Sequence, residues 1–82
     1  MHDEIRRIVG DHGRLPVDHT TLSDDTDLYE AGMTSHASVS VMLALEDAFD
    51  LEFPDEMLTR EVFESIDSMA TAVASLRDLQ SA

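Results

Sequence analysis

Between Ser35 and Asp50 the chain reads SHASVSVMLALEDAFD, with neither glycine nor proline, and no other stretch commits so firmly to one secondary structure. At 100° per residue, Val41, Met42, Leu45 and Phe49 form one apolar stripe on this helix. Val39 and Leu43, flanked by His36 and Asp47, form a second stripe about a third of a turn away. One stripe serves the core. The other either packs against a further element or lies exposed as a patch for a partner. A chain of 82 residues with no cysteine has neither disulfides nor thiolate metal sites. It buries only about 60 % of its unfolded surface, so side-chain packing must hold the fold and a large internal catalytic cavity is excluded.

The remaining segments are also helical or irregular. DEIRRIVGDHGRL predicts a helix over residues 3–14, with Ile5, Ile8, Val9, His12 and Leu15 at helical spacing and Asp3 and Glu4 in the first turn. Gly13 suits a left-handed cap, and Pro16 cannot continue the helix. From Val17 to Thr34 no period holds, and the stretch is rich in Asp, Thr and Ser. Leu22, Leu28, Tyr29 and Met33 are expected to pin this long connection across the core. Pro54 breaks the chain after the second helix, and MLTREVF is long enough for one or two helical turns. SIDSMATAVASLRDL then sets Ile66, Met69, Ala70, Val73, Leu76 and Leu79 on one face of a final helix, with Ser65 or Asp67 as N-cap. Strand signals and repeats are absent. The expected fold is all-α: one domain over residues 1–82, a small four-helix bundle of three main helices and one short one, with a long loop between the first and second.

Eighteen acidic residues against five basic ones give a formal charge of −13. Such a surface repels nucleic acid and anionic lipid and favours encounter with basic protein surfaces. No apolar run approaches a membrane span, and MHDEIRR lacks the charged-then-apolar order of a secretory signal, so a cytoplasmic location is expected. His2, His12 and His19 lack metal-ligand spacing. DDTDLYE lacks the sixth-position glycine and closing glutamate of a calcium loop.

Ser35 is the residue whose role is open. Serine at a helix start ordinarily caps it. Thr34, an equally good capping residue, stands immediately before; if Thr34 caps, Ser35 projects its hydroxyl from the first turn, where exposed amides favour a phosphate ester. No acidic residue follows until Glu46. A Ser35–His36 dyad is excluded by geometry, because consecutive helix residues do not face each other. The nucleophile elbow and glycine-rich phosphate loops are also absent.

DLYEAGMTSHASVSVMLALEDAFDLEFPDE, residues 27–56, resembles the phosphopantetheine-binding segment of acyl carrier proteins. The likeness lies in the glycine, the serine three residues later, the apolar positions after it, the acidic pair before Phe49 and the aromatic-Pro-Asp break. It implies that a phosphopantetheinyl transferase uses coenzyme A to place 4'-phosphopantetheine on Ser35, and that cargo rides on the arm's thiol as a thioester. The chain would then be a carrier and not an enzyme. The absence of cysteine and lysine leaves no side-chain thiol or amine to attack that thioester. The family's usual aspartate–serine–leucine triplet here reads Thr34-Ser35-His36, and two positions often acidic in the helix are Ala37 and Ser40. The resemblance assigns partner contacts to Thr34, His36, Val39, Ser40, Leu43, Glu46 and Asp47. Thr before the serine, ASVxxML and FPDxxLxR look most like small stand-alone aminoacyl carrier proteins. These are charged with a small amino acid by seryl-tRNA-synthetase-like ligases and pass it to a downstream acceptor enzyme. A specialised fatty-acyl or polyketide carrier is the alternative. An acidic interaction module without a prosthetic group and a serine hydrolase are the readings outside the family.

Overall fold

The computed structural model describes residues 1–16 and 18–80, excluding the side chains of His19 and Gln80. Val17, where the irregular stretch opens, lies outside the described residues. Among those residues the chain forms α1 (His2–His12), α2 (Leu28–Ala31), α3 (Ser35–Phe49), α4 (Arg60–Phe63) and α5 (Ile66–Gln80). Single 3-10 turns stand at His19–Thr21 and Asp55–Met57. The three long helices and the short α4 are those expected from the sequence.

α1 packs against both α3 and α5, and α4 packs against α5. The centre is filled by Ile5 and Val9 of α1, Leu28 of α2, Val41 and Leu45 of α3, and Ile66, Met69 and Val73 of α5, all fully buried. Leu22 and Met33 are buried and Tyr29 is half-buried, so the long connection is pinned to the core as its apolar residues predict. Phe53 and Phe63 stack in a tilted arrangement, centroids 5.4 Å apart. Their contact draws the segment after α3 onto α4.

Backbone hydrogen bonds lace the connection to the far end of the chain. The Leu28 N–H donates to the Glu64 carbonyl at 2.7 Å, and the Asp67 N–H donates to the Asp24 carbonyl at 2.8 Å. From the other side, Arg6 of α1 donates to the Leu22 carbonyl at 3.2 Å and ion-pairs with Asp3 and Asp24. One turn of helix, α2, therefore forms inside the stretch expected to be irregular. Its start was encoded: the Asp27 carboxylate accepts from the Tyr29 and Glu30 N–H groups, and Glu30 occupies the third helical position, a capping-box pattern too short to show a period.

Three sequence expectations are corrected, and the choice of N-cap for α5 is settled. Gly13 is right-handed (φ −77°), and Arg14 takes the left-handed conformation instead. A Cβ on Gly13 would lie 2.6 Å from the Val9 carbonyl oxygen, so the glycine answers a need for space. α3 stops at Asp50, a left-handed cap (φ 53°), before Pro54 is reached; aspartate tolerates that conformation better than most residues. Leu79 is 75 % exposed, outside the core face of α5. The N-cap of α5 is Ser65, whose Oγ accepts from the Ser68 N–H at 3.0 Å while Ser68 Oγ accepts from the Ser65 N–H.

Gly32 joins α2 to α3. The Gly32 N–H donates to the Tyr29 carbonyl and the Met33 N–H to the Leu28 carbonyl, the paired bonds of a Schellman motif. Gly32 itself sits at φ 123°, and an added Cβ would meet the Pro16 ring at 2.9 Å. Gly32→Ala is expected to lower unfolding free energy by about 2 kcal/mol through left-handed strain and the clash, read as a lower urea midpoint at unchanged m-value.

Candidate functional site

The Schellman turn at Gly32 buries Met33 and releases the chain in an extended conformation at Thr34 (φ −84°, ψ 164°). Thr34 Oγ1 then accepts from the Ala37 N–H at 3.0 Å, which makes Thr34 the N-cap of α3. Ser35 follows as the first helical residue. It is exposed, and its hydroxyl makes no hydrogen bond among the described residues; its carbonyl accepts from Ser38 Oγ at 2.7 Å. The capping and projecting roles therefore fall to two adjacent side chains.

Electrostatics at this point favour an anion. α3 has fifteen residues and no acidic residue in its first turn, so the positive end of its dipole is uncompensated there. His36 is exposed beside Ser35. Ser38 and Ala37 are buried: they extend the Val41–Leu45 stripe toward the helix start, and the small Ser38 hydroxyl is satisfied within its own turn.

Beside Ser35 lies a cavity of about 280 Å³ lined by Tyr29, Ser35, Ser38, Val39, Leu58, Thr59, Arg60 and Phe63. α2, α3 and α4 each contribute to it, along with the segment entering α4. The Arg60 guanidinium carbon stands 4.6 Å from the Tyr29 ring centroid, within cation–π range. Spacing could not have linked residues 29, 35 and 60. Tyr29 carried a signal as an aromatic residue pinning the connection, and Arg60 stood out only as the last residue of FPDxxLxR, with nothing to tie it to Ser35.

The other candidate residues divide between two places. Val39, 50 % exposed, shares the cavity with Ser35. Ser40, Leu43 and Asp47 line an open groove between α3 and the Ile8–His12 side of α1, where Leu43 is 55 % exposed. The second apolar stripe is thus uncovered. Glu46 is half-buried, and its carboxylate accepts from the Phe53 N–H at 2.9 Å, fixing the chain after α3.

Residues 3–73 match the family described as Phosphopantetheine attachment site. The chain belongs to this family. Proteins of the phosphopantetheine-attachment family carry 4'-phosphopantetheine covalently on a serine. The group supplies a flexible arm whose thiol holds an acyl group as a thioester. The chain is accordingly a carrier and not a catalyst. It is 45 % identical over 78 residues, 95 % of its length and 94 % of the relative's, to an aminoacyl carrier protein of Agrobacterium fabrum. It is also similar to a structure of an engineered Bradyrhizobium japonicum glycine:carrier-protein ligase complexed with the Agrobacterium tumefaciens carrier protein and AMP. That match has a TM-score of 0.87 and 46 % identity, covering 90 % of this chain and 99 % of the other. A solution structure from Agrobacterium tumefaciens matches at a TM-score of 0.79 and 43 % identity, covering 99 % and 98 %. Among the described residues, no helix is long and apolar enough to cross a membrane.

The site fits the family's group through chemistry of its own: a free serine hydroxyl, a positive helix end and an adjoining cavity. Thr34→Ala is expected to lower unfolding free energy by about 1 kcal/mol through loss of the cap. Ser35→Ala, which removes no hydrogen bond, is expected to stay within about 0.5 kcal/mol of the parent chain. Urea denaturation of the two variants side by side measures the difference.

Proposed function

We propose that residues 1–82 act as one cytoplasmic aminoacyl carrier domain, bearing 4'-phosphopantetheine on Ser35 and holding a small amino acid on the arm as a thioester. The observation that carries this reading is the division of labour at the start of α3: Thr34 caps the helix, and Ser35 is exposed with a hydroxyl that makes no hydrogen bond among the described residues. A phosphopantetheinyl transferase, using coenzyme A, supplies the base for attachment. Nothing in the first turn of α3 is placed to activate the hydroxyl.

The likeness to an aminoacyl carrier protein and to a carrier crystallised with a glycine:carrier-protein ligase supports glycine or a similarly small amino acid as cargo and a ligase of that kind as the loading enzyme. A downstream acceptor enzyme then receives the cargo. The same likeness favours a small amino acid over the fatty-acyl or polyketide alternative. The absence of lysine and cysteine side chains suits the cargo chemistry, since an aminoacyl thioester is lost readily to amines and thiols.

Partners are expected to meet the surface of α3 that includes Thr34, His36, Val39, Ser40, Leu43 and Asp47, with Glu46 acting at its edge through the chain it holds. The uncovered Val39 and Leu43 supply apolar area, and Asp47 supplies charge for a basic surface.

Incubation with coenzyme A and a promiscuous transferase is expected to add the mass of one phosphopantetheine to the parent chain and none to Ser35→Ala, read by intact-protein mass spectrometry. A folded parent chain that gains no mass would refute the assignment. For the surface, Leu43→Glu is expected to keep the fold, because the side chain is more than half exposed, yet to lower kcat/KM for loading by a glycine ligase at least tenfold. An interface residue at the centre of a contact carries about 1–2 kcal/mol or more.

A further inference from the structure

Of the five arginines, Arg60 is the one that lines the cavity beside Ser35. Arg6 is committed to Asp3, Asp24 and the Leu22 carbonyl. Arg7 stands among Asp3 and Glu4, and Arg77 lies 6.0 Å from the Phe49 ring. Arg60 makes no ion pair or hydrogen bond among the described residues, in a chain with 18 carboxylates. The cavity it shares with Ser35 contains no acidic lining residue, so its only charged wall is cationic. On a protein of net charge −13, that is a local reversal of sign.

We propose that Arg60 is the anion-holding side chain of the attachment site: once Ser35 carries its phosphodiester, the Arg60 guanidinium engages that group and seats the first part of the arm in the cavity. The inference rests on the assignment of Ser35 made above. The guanidinium carbon lies over the Tyr29 ring, and no acceptor among the described residues takes its N–H groups, so they are available to a phosphate oxygen pair. The Tyr29 ring also restrains a long side chain, so less rotamer freedom remains to be lost on engagement. The start of α3, where Ser35 is the first helical residue, adds partial positive charge to the same site. The cavity's size admits the phosphate and the beginning of the arm, and the thiol end with its cargo lies outside. Arg60 is a positioning residue: it holds the arm and takes no part in forming or breaking the thioester.

The test uses the full chain labelled with ¹⁵N, before and after modification, with complete modification verified by mass. Five arginines give five side-chain Nε–H signals. On modification the Arg60 signal is expected to shift and its hydrogen exchange to slow, while those of Arg7 and Arg14 stay in place. The ³¹P resonance of the modified Arg60→Ala chain is expected to be displaced from the parent's, with Arg60→Lys between them, because lysine keeps the charge and loses the planar fork. A fully modified chain whose Arg60 signal does not move, or whose ³¹P resonance is the same in all three forms, would overturn the proposal while leaving Ser35 as the attachment residue. A chain that gains no mass overturns the Ser35 assignment and this inference with it. The signal shift is read in the parent chain, so the outcome does not depend on the fold of any variant.

Discussion

Two backbone hydrogen bonds, Leu28 N–H to the Glu64 carbonyl and Asp67 N–H to the Asp24 carbonyl, hold the long connection against the junction of α4 and α5. They act together with the burial of Leu22, Leu28 and Met33, which pins the same connection to the core. With these bonds made, α2 is set on the end of α4, and Tyr29 lies beneath Arg60. The Gly32 turn then starts α3 at a fixed place and angle. The exposed hydroxyl of Ser35, the cavity beside it and the cation in its wall all follow from where that connection is tied.

Charge is distributed with comparable economy. The acidic majority covers the outside, and three of the arginines are set against other parts of the chain. Arg6 binds the connection to α1, and Arg60 and Arg77 lie over aromatic rings. Stacking an arginine on a ring keeps its charge without neutralising it, which an ion pair would do. The carboxylate of Glu46 is used in the complementary way: it takes the Phe53 N–H and so shapes the chain that leads toward Phe63 and the cavity.

The parts of the fold visible in the sequence were those with a period. α1, α3 and α5 repeat their apolar residues over several turns, and their core faces were read from spacing, apart from Leu79 near the end of α5, where few neighbours remain to cover a side chain. The Thr34–Ser35 pair was also legible, because capping is a local interaction within four residues. α2 was not, since a single turn cannot show a period. Gly13 was misread because its constraint is the nearness of the Val9 carbonyl, a matter of space that residue type does not reveal. The cavity was invisible for a different reason: Tyr29, Ser35 and Arg60 are brought together by the ties between the connection and α4, and contacts of that kind leave no trace in local pattern.

Val39 belongs to two surfaces at once. It is half-exposed on the uncovered stripe of α3, and it forms part of the wall of the cavity beside Ser35. A protein that buries Val39 therefore touches the rim of the place where the arm begins. Two bindings that share one side chain are thermodynamically linked, and each must alter the other's affinity by the same factor. On the proposed seating of the arm, an enzyme that covers Val39 would bear on the arm's release with no hinge or moving segment, through the position of one valine.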